Sequence, residues 1–357
     1  MPTPNPPPDT MLAVRVHGPG DLRIDRVPVP EVTAGDALLR VLVAGVCATD
    51  RKLAVRGAPD GGPRVLGHEI VAEVVAPGAS RLAAGTRVAV APNMGEGSCP
   101  ACRRGATNLC PEYRAFGIHL DGGMAEYLRV PWTAVEAGHL LSVPDGLTDL
   151  DAALLEPLAC CVEGLLASDL RPGDALLVVA AGVMGRLHVV AGRALGAGTI
   201  VVVDRNAERL AHARALGADV TLAPTDDLAG AVRDATDGRG ADVAAVTIGD
   251  TAAARGALAA LAREGRLNLF AGFGPDQGPL EVDANAFHYR GLKLLGTTGA
   301  SMTTLARTLA LLHGGRLALG GLVSATFDLP DAARAFAAAG HGGHARVVLL
   351  PGGGSTA

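Results

Sequence analysis

Cys47 lies in Gly45-Val46-Cys47-Ala48-Thr49-Asp50, and His68 follows 21 residues later in Gly67-His68-Glu69. Thiolate, imidazole and carboxylate form the donor set that a borderline-soft, tetrahedral Zn²⁺ selects. Taken singly, each residue has a plain alternative: a buried cysteine, a core histidine, a solvated glutamate. A second group follows in the pattern Glu96-x2-Cys99-x2-Cys102-x7-Cys110. Zinc accepts carboxylate oxygen as well as sulfur, and a closed four-ligand site would fold a loop that has almost no hydrophobic residues of its own. The alternative is a loop of free thiols that has lost its metal.

Ala180-Ala181-Gly182-Val183-Met184-Gly185 lies between an apolar strand and a helical segment, where a dinucleotide fingerprint belongs. It departs from Gly-x-Gly-x-x-Gly at its first position, which is Ala180. The next strand ends at Asp204, 19 residues after Gly185, and this supports the fingerprint. Gly182 lets the backbone approach a pyrophosphate, which then sits on the amides of the helix start at Val183, Met184 and Gly185. Asp204 would accept hydrogen bonds from the ribose hydroxyls and repel a 2′-phosphate, which favours NAD over NADP. Arg205 offsets part of that repulsion, and Arg209 belongs to the same nucleotide set. Alternatively, Asp204 caps the next helix.

These residues must be positioned by two kinds of element. Residues 11–30 alternate apolar and polar side chains around Gly18-Pro19-Gly20, a hairpin signal. Strands are expected at 37–44, 69–75 and 87–91, and the loop between the first two brings Cys47 and His68 together. Short strands punctuated by glycine and proline suggest a small all-β barrel. From about residue 151 the texture changes. Helices at 152–166, 184–195 and 207–216 alternate with strands at 175–179, 200–203, 242–247 and 266–271. Such alternation implies a parallel, doubly wound α/β sheet. A helix at 301–313 and a strand at 345–350 close the chain, and 292–296 reads as the last strand of the parallel sheet.

The 357 residues suffice for two domains with full cores. A net charge of −5 gives no electrostatic case for nucleic acid or anionic membrane. No apolar run spans a bilayer, and the Pro-rich residues 1–10 lack the apolar core of a signal peptide. Six cysteines without an export signal point to metal binding in the cytosol, not disulfides. Residues 1–10 and 351–357 read as disordered ends.

Gly45–Asp50 and Gly67–Glu69 resemble the catalytic-metal segment of the zinc-containing medium-chain alcohol and polyol dehydrogenases. The resemblance runs from about residue 11 to 350. It implies a chaperonin-10-like β-barrel catalytic domain at 11–156 and 298–357, and a Rossmann nucleotide domain at 157–297. Residues 122–127 resemble that family's Asp-Gly-Gly-x-Ala-Glu-Tyr strand. Glu96, Cys99, Cys102 and Cys110 match its structural zinc lobe, with Glu in place of the first Cys. Catalytic zinc would take Cys47, His68 and either Glu69 or Glu156 of Leu155-Glu156-Pro157. Glutamate at the latter position resembles the sorbitol, threonine and 2-deoxy-scyllo-inosamine dehydrogenase branch, where simple alcohol dehydrogenases carry cysteine. Cys160 and Cys161 fit apolar helix positions. Thr49 stands where the family keeps a relay hydroxyl, and Asp50 where it supports a ligand. Lys52 replaces the histidine at the relay's outlet.

The resemblance implies an NAD-dependent zinc oxidoreductase of a polar secondary alcohol and its ketone, assembled as a homodimer or homotetramer. A zinc-free quinone or enoyl reductase of the same fold would lack both cysteine-bearing motifs. A non-catalytic nucleotide-binding protein would have lost a ligand or the relay hydroxyl.

Overall fold

Alternating apolar residues make the start of the chain a hairpin: β1 (Thr10–Gly18) pairs antiparallel with β2 (Asp21–Pro28), Val14 opposite Ile24. The computed structural model describes residues 6–317, 319–340 and 345–352. β3 (Ala37–Val46), α1 (Ala48–Arg56), β4 (Arg64–Val65), β5 (Ile70–Ala76) and β6 (Arg87–Val90) follow. β7 (Asn93–Met94) pairs with β8 (Arg114–Ala115) at the base of the cysteine loop, which carries α2 (Pro100–Arg103). Then come β9 (Tyr127–Val130), α3 (Trp132–Glu136), β10 (Leu140–Ser142) and α4 (Asp149–Ala152). Leu39, Val41, Ile70, Val88, Phe116 and Met124 fill the core between these strands.

α5 (Leu155–Ala167) leads into the second set: β11 (Leu176–Val179), α6 (Val183–Ala194), β12 (Ile200–Val203), α7 (Ala207–Ala215) and β13 (Val220–Leu222). α8 (Leu228–Asp234), β14 (Ala241–Val246), α9 (Thr251–Ala259), β15 (Leu261–Leu269), α10 (Ala284–Arg290) and β16 (Lys293–Gly296) continue it. The six strands form one parallel sheet in the order β13-β12-β11-β14-β15-β16. β11 and β12 read Leu-Leu-Val-Val and Ile-Val-Val-Val, and every residue is buried, as helices on both faces require. The order reverses between β11 and β14, the switch point at which open α/β sheets bind ligands.

The chain ends with α11 (Met302–His313), β17 (Val323–Asp328), α12 (Ala332–Gly340) and β18 (Arg346–Leu350). β18 pairs antiparallel with β3 and parallel with β17, giving the sheet order β10-β6-β5-β3-β18-β17 with β9 branching from β3. Two compact units result. One holds the described residues up to Glu156, Ala300–His313 and those from Gly321 on. The other holds Pro157–Gly299 and Gly314–Gly320.

Several expected bounds shift for physical reasons. A helix over 152–166 would place the Pro157 ring against the Ala153 carbonyl; instead α4 stops and α5 restarts so that proline falls in a first turn. The strand expected at 122–127 begins only at Tyr127. Gly122 and Gly123 pack closely on Gly67 and Ile70, yet Gly122, Met124 and Glu126 still donate to the Val65, Leu66 and Leu12 carbonyls, with Ala125 bridged antiparallel to Ala13. β15 starts at Leu261 and absorbs an irregularity at Glu264, whose φ is +58°. Gly314–Gly320 groups with the nucleotide-type unit, where His212 Nε2 donates to the Gly320 carbonyl at 3.2 Å. Thr10 already belongs to β1, and the disorder expected at residues 1–5 and 353–357 lies outside the described residues.

Candidate metal centres and nucleotide site

Cys47 follows β3, His68 and Glu69 precede β5, and Arg346 opens β18. β3 is antiparallel to both β5 and β18, so its C-terminal end lies between their N-terminal ends, with Ala44 opposite Ile70 and Val46 opposite Val347. That register brings ligand atoms of Cys47, His68 and Glu69 within 4.8 Å of one another. Gly45 donates its N–H to the Glu69 carbonyl at 2.8 Å, and a Cβ at Gly45 would overlap the Glu69 carboxylate. Only glycine fits there.

Asp50 ties the two motifs together. Fully buried, it accepts hydrogen bonds from Cys47 N at 2.8 Å and Gly67 N at 3.0 Å. Its Oδ1 stands 3.5 Å from His68 Nδ1, a buried nitrogen that has no aligned hydrogen-bond partner. Arg346 is buried on the other side, its guanidinium 3.0 Å from Glu69 Oε1 and 3.2 Å from the Val46 carbonyl. Neither buried Glu69 oxygen has an aligned hydrogen-bond donor. Burial pushes the Glu69 carboxyl up to about 7 against the opposing pull of Arg346 and His68. Burial pulls His68 down, but Asp50 and Cys47 outweigh it and hold the imidazole well above its ordinary value. Orphaned carboxylate oxygens, a thiol and an imidazole with an unpartnered ring nitrogen together suit a zinc ion.

Glu156, in the first turn of α5, lies outside that cluster, yet its charge acts on both Glu69 and Arg346. Thr49 is the second residue of α1, and Lys52 is exposed further along it. Cys160 and Cys161 are buried on α5 and belong to neither metal-capable group of the described residues.

Glu96, Cys99, Cys102 and Cys110 converge in the cysteine loop, their ligand atoms within 4.8 Å of one another. The backbone N–H of Cys102 points at Cys99 Sγ, and that of Glu96 at Cys110 Sγ, both at 3.4 Å. The Glu96 N–H holds the Cys110 thiol below its ordinary value, while burial pushes the Cys102 thiol up to about 11. Ser98 and the Cys99 amide donate to the Glu96 carboxylate and hold its pKa down at about 2. A Cβ at Gly95 would overlap Cys102 Sγ, so the loop closes on the cluster itself.

In the parallel sheet, Ala180–Gly185 leaves β11 and enters α6, with Gly182 as its N-cap residue. Asp204 follows β12 and is buried. Its carboxylate accepts from Ala181 N at 2.6 Å and Asn206 N at 2.8 Å, with Arg209 at 3.9 Å. Asp204 does not cap α7; Asn206 does, accepting from Arg209 N. A cavity of about 990 Å³ opens beside the turn, lined by Ala180, Asp204, Arg205, Arg209, Asp227 and Ile248 among others. Gly185 touches the Ala180 carbonyl so closely that a Cβ would overlap it, which explains that glycine.

Two residues escaped the sequence reading. Arg346 opens an otherwise apolar strand almost three hundred residues from Cys47, and no local pattern ties it to the site. Thr247, just after β14, hydrogen-bonds the nucleotide turn and carries no motif of its own.

Residues 33–142 match the alcohol dehydrogenase GroES-like domain, and residues 184–314 match the zinc-binding dehydrogenase domain. Sorbitol dehydrogenase of Bacillus subtilis (strain 168) is 32% identical over 77% of this chain and 79% of its own. L-threonine 3-dehydrogenase of Symbiobacterium thermophilum is 32% identical over 96% of this chain and 98% of its own. A Sinorhizobium meliloti 1021 protein assigned as a zinc-binding dehydrogenase and solved with NADP superposes with a TM-score of 0.87. It is 29% identical and covers 96% of this chain and 100% of its own. The chain therefore belongs to the zinc-type medium-chain alcohol and polyol dehydrogenases, a family of oxidoreductases.

Proposed function

We propose that this chain interconverts a polyhydroxylated or amino-bearing secondary alcohol and its ketone, with zinc and a nicotinamide dinucleotide. The observation that carries this reading is Glu156 beside the Cys47–His68–Glu69 cluster, close enough for its charge to reach Glu69 and Arg346. A carboxylate beside a metal offers hydroxyl and amino groups a hydrogen-bond partner, and a simple hydrocarbon alcohol gains nothing from it. The relatives named for sorbitol and threonine support the same class.

In this reading Cys47 and His68 hold catalytic zinc with Glu69 as third protein ligand, and Glu156 accepts a hydrogen bond from the substrate. Zinc bound there supplies Lewis acidity that lowers the pKa of a hydroxyl, and the nicotinamide supplies the hydride acceptor. Asp50 stands beside the imidazole, Arg346 balances the buried Glu69 charge, and Thr49 takes the hydroxyl proton toward solvent. Glu96, Cys99, Cys102 and Cys110 hold a structural zinc. Gly182, Val183, Met184 and Gly185 present backbone to the pyrophosphate. Asp204 accepts the ribose hydroxyls, flanked by Arg205 and Arg209, and favours NAD over NADP. The assembly is a homodimer or homotetramer in the cytoplasm.

The test compares kcat/KM for sorbitol or a cyclitol with that for cyclohexanol or 2-butanol, using NAD and then NADP. A site built to pair several hydroxyls loses strongly on analogues that lack them, since its buried polar groups are left unpaired. Equal activity on the simple alcohols overturns the substrate class, and a preference for NADP overturns the Asp204 assignment.

A further inference from the structure

Ala180 occupies the first fingerprint position with φ at +74°, a left-handed conformation that L-residues disfavour and glycine accepts freely. Something must hold it there. Ala180 N donates to the Val203 carbonyl at 2.8 Å, and Ala181 N to Asp204 at 2.6 Å, so β12 tethers the turn from one side. From the other side comes Thr247, the residue after β14. Its Oγ1 lies 2.9 Å from the Val179 carbonyl and 3.0 Å from the Ala180 carbonyl, and its single proton is shared between them. Thr247 N also donates to Val179 O at 3.1 Å. The Ala180 carbonyl thus sits between the Thr247 hydroxyl and the backbone of Gly185, where no Cβ fits.

We infer that Thr247 is a positioning residue for the pyrophosphate turn: its hydroxyl fixes the Ala180 carbonyl in the left-handed turn and thereby aims the amides of Gly182, Val183 and Met184. The inference rests on reading this turn as the dinucleotide site. A peptide plane carries its carbonyl and the next amide rigidly, so turning the Ala180 carbonyl away also turns the Ala181 amide away from Asp204. Glycine at position 180 would adopt this conformation by itself. Alanine there makes the outside clamp necessary.

The experiment measures ADP-ribose binding by titration calorimetry on the full-length protein, with melting curves alongside. Thr247→Val keeps the shape and removes the hydroxyl; Thr247→Ser keeps the hydroxyl. Losing one such bond at a preorganised site corresponds to about a tenfold rise in Kd. The expected result is that rise in Thr247→Val, a Kd within about twofold of wild type in Thr247→Ser, and kcat at saturating dinucleotide changed by less than about twofold in both. If Thr247→Val does not fold, Thr247→Ala against Thr247→Ser makes the same comparison. Wild-type affinity in a folded variant that lacks the hydroxyl overturns the clamp and leaves the dinucleotide reading standing. Failure of the wild type to bind ADP-ribose overturns both.

Discussion

At the scale of single residues, two features depart from what a chain would choose for packing alone. Ala180 holds φ at +74°, at a cost of about 1–2 kcal/mol for an L-residue. Glycine removes that cost but loses about 0.4–1 kcal/mol through the freer unfolded chain. Ala180→Gly should therefore stabilise by roughly 0.5–1 kcal/mol, read as a raised midpoint in denaturant. A lowered midpoint would contradict the strain. The second feature is Arg346, buried against Glu69. Removing one partner of a buried pair leaves an uncompensated charge, so Arg346→Met should destabilise by about 3–5 kcal/mol, measured by chemical unfolding of the metal-free protein. A loss under about 1 kcal/mol would mean that the pair behaves as a solvated one. Cys47 and His68 were legible from their types and spacing, but the third acidic partner stayed open between Glu69 and Glu156 until the structure grouped Glu69 with them. Arg346 was not legible, because only the pairing of β18 with β3 brings it there.

At the scale of elements, legibility followed burial. β11 and β12 are continuous apolar runs with one reading, and β12 falls at 200–203 as expected, whereas the half-buried Val-Thr-Leu of β13 left no such trace. Residues 122–126 fall short of a continuous strand, although their backbone bonds β1 and the residues about β4 much as a strand would. α6 hides a titrating group. His188 is completely buried, its Nδ1–H donates to the Met184 carbonyl at 2.7 Å, and its Nε2 has no partner. Burial pushes its pKa down to about 4 from an ordinary 6.5. The unfolded chain therefore binds this proton more readily than the folded one between those values. Stability is fully present above pH 6.5, falls as pH drops toward 4, and loses nothing further to this group below that, about 3 kcal/mol in all. Replacing His188 with Phe should flatten that part of the stability–pH curve, followed by denaturant midpoints from pH 7 to 4. An unchanged slope would rule out His188 as its source.

At the scale of the whole molecule, the parallel sheet ends at β16, which has a strand neighbour on one side only among the described residues. Leu294 on it is 39% exposed, and Tyr289 just before it is 73% exposed. An apolar edge of this kind invites another chain, and pairing it across a two-fold axis removes the hazard. Light scattering at micromolar concentration should give at least a dimer, and Leu294→Lys should shift it toward monomer; a wild-type monomer would contradict this. No helix among the described residues is long and apolar enough to cross a membrane. The substrate class was the least legible property, because pocket walls come from several loops and family membership does not set them.

The central claim is that one zinc sits at Cys47, His68 and Glu69 and a separate one in the cysteine loop. Zinc content per chain, measured on the wild type and on Cys47→Ser, tests it most directly. The account predicts about two zinc ions in the wild type and about one in Cys47→Ser, which stays folded because the loop metal, not this one, contributes folding energy. A wild type with a single zinc, or a Cys47→Ser protein that keeps both, would contradict it.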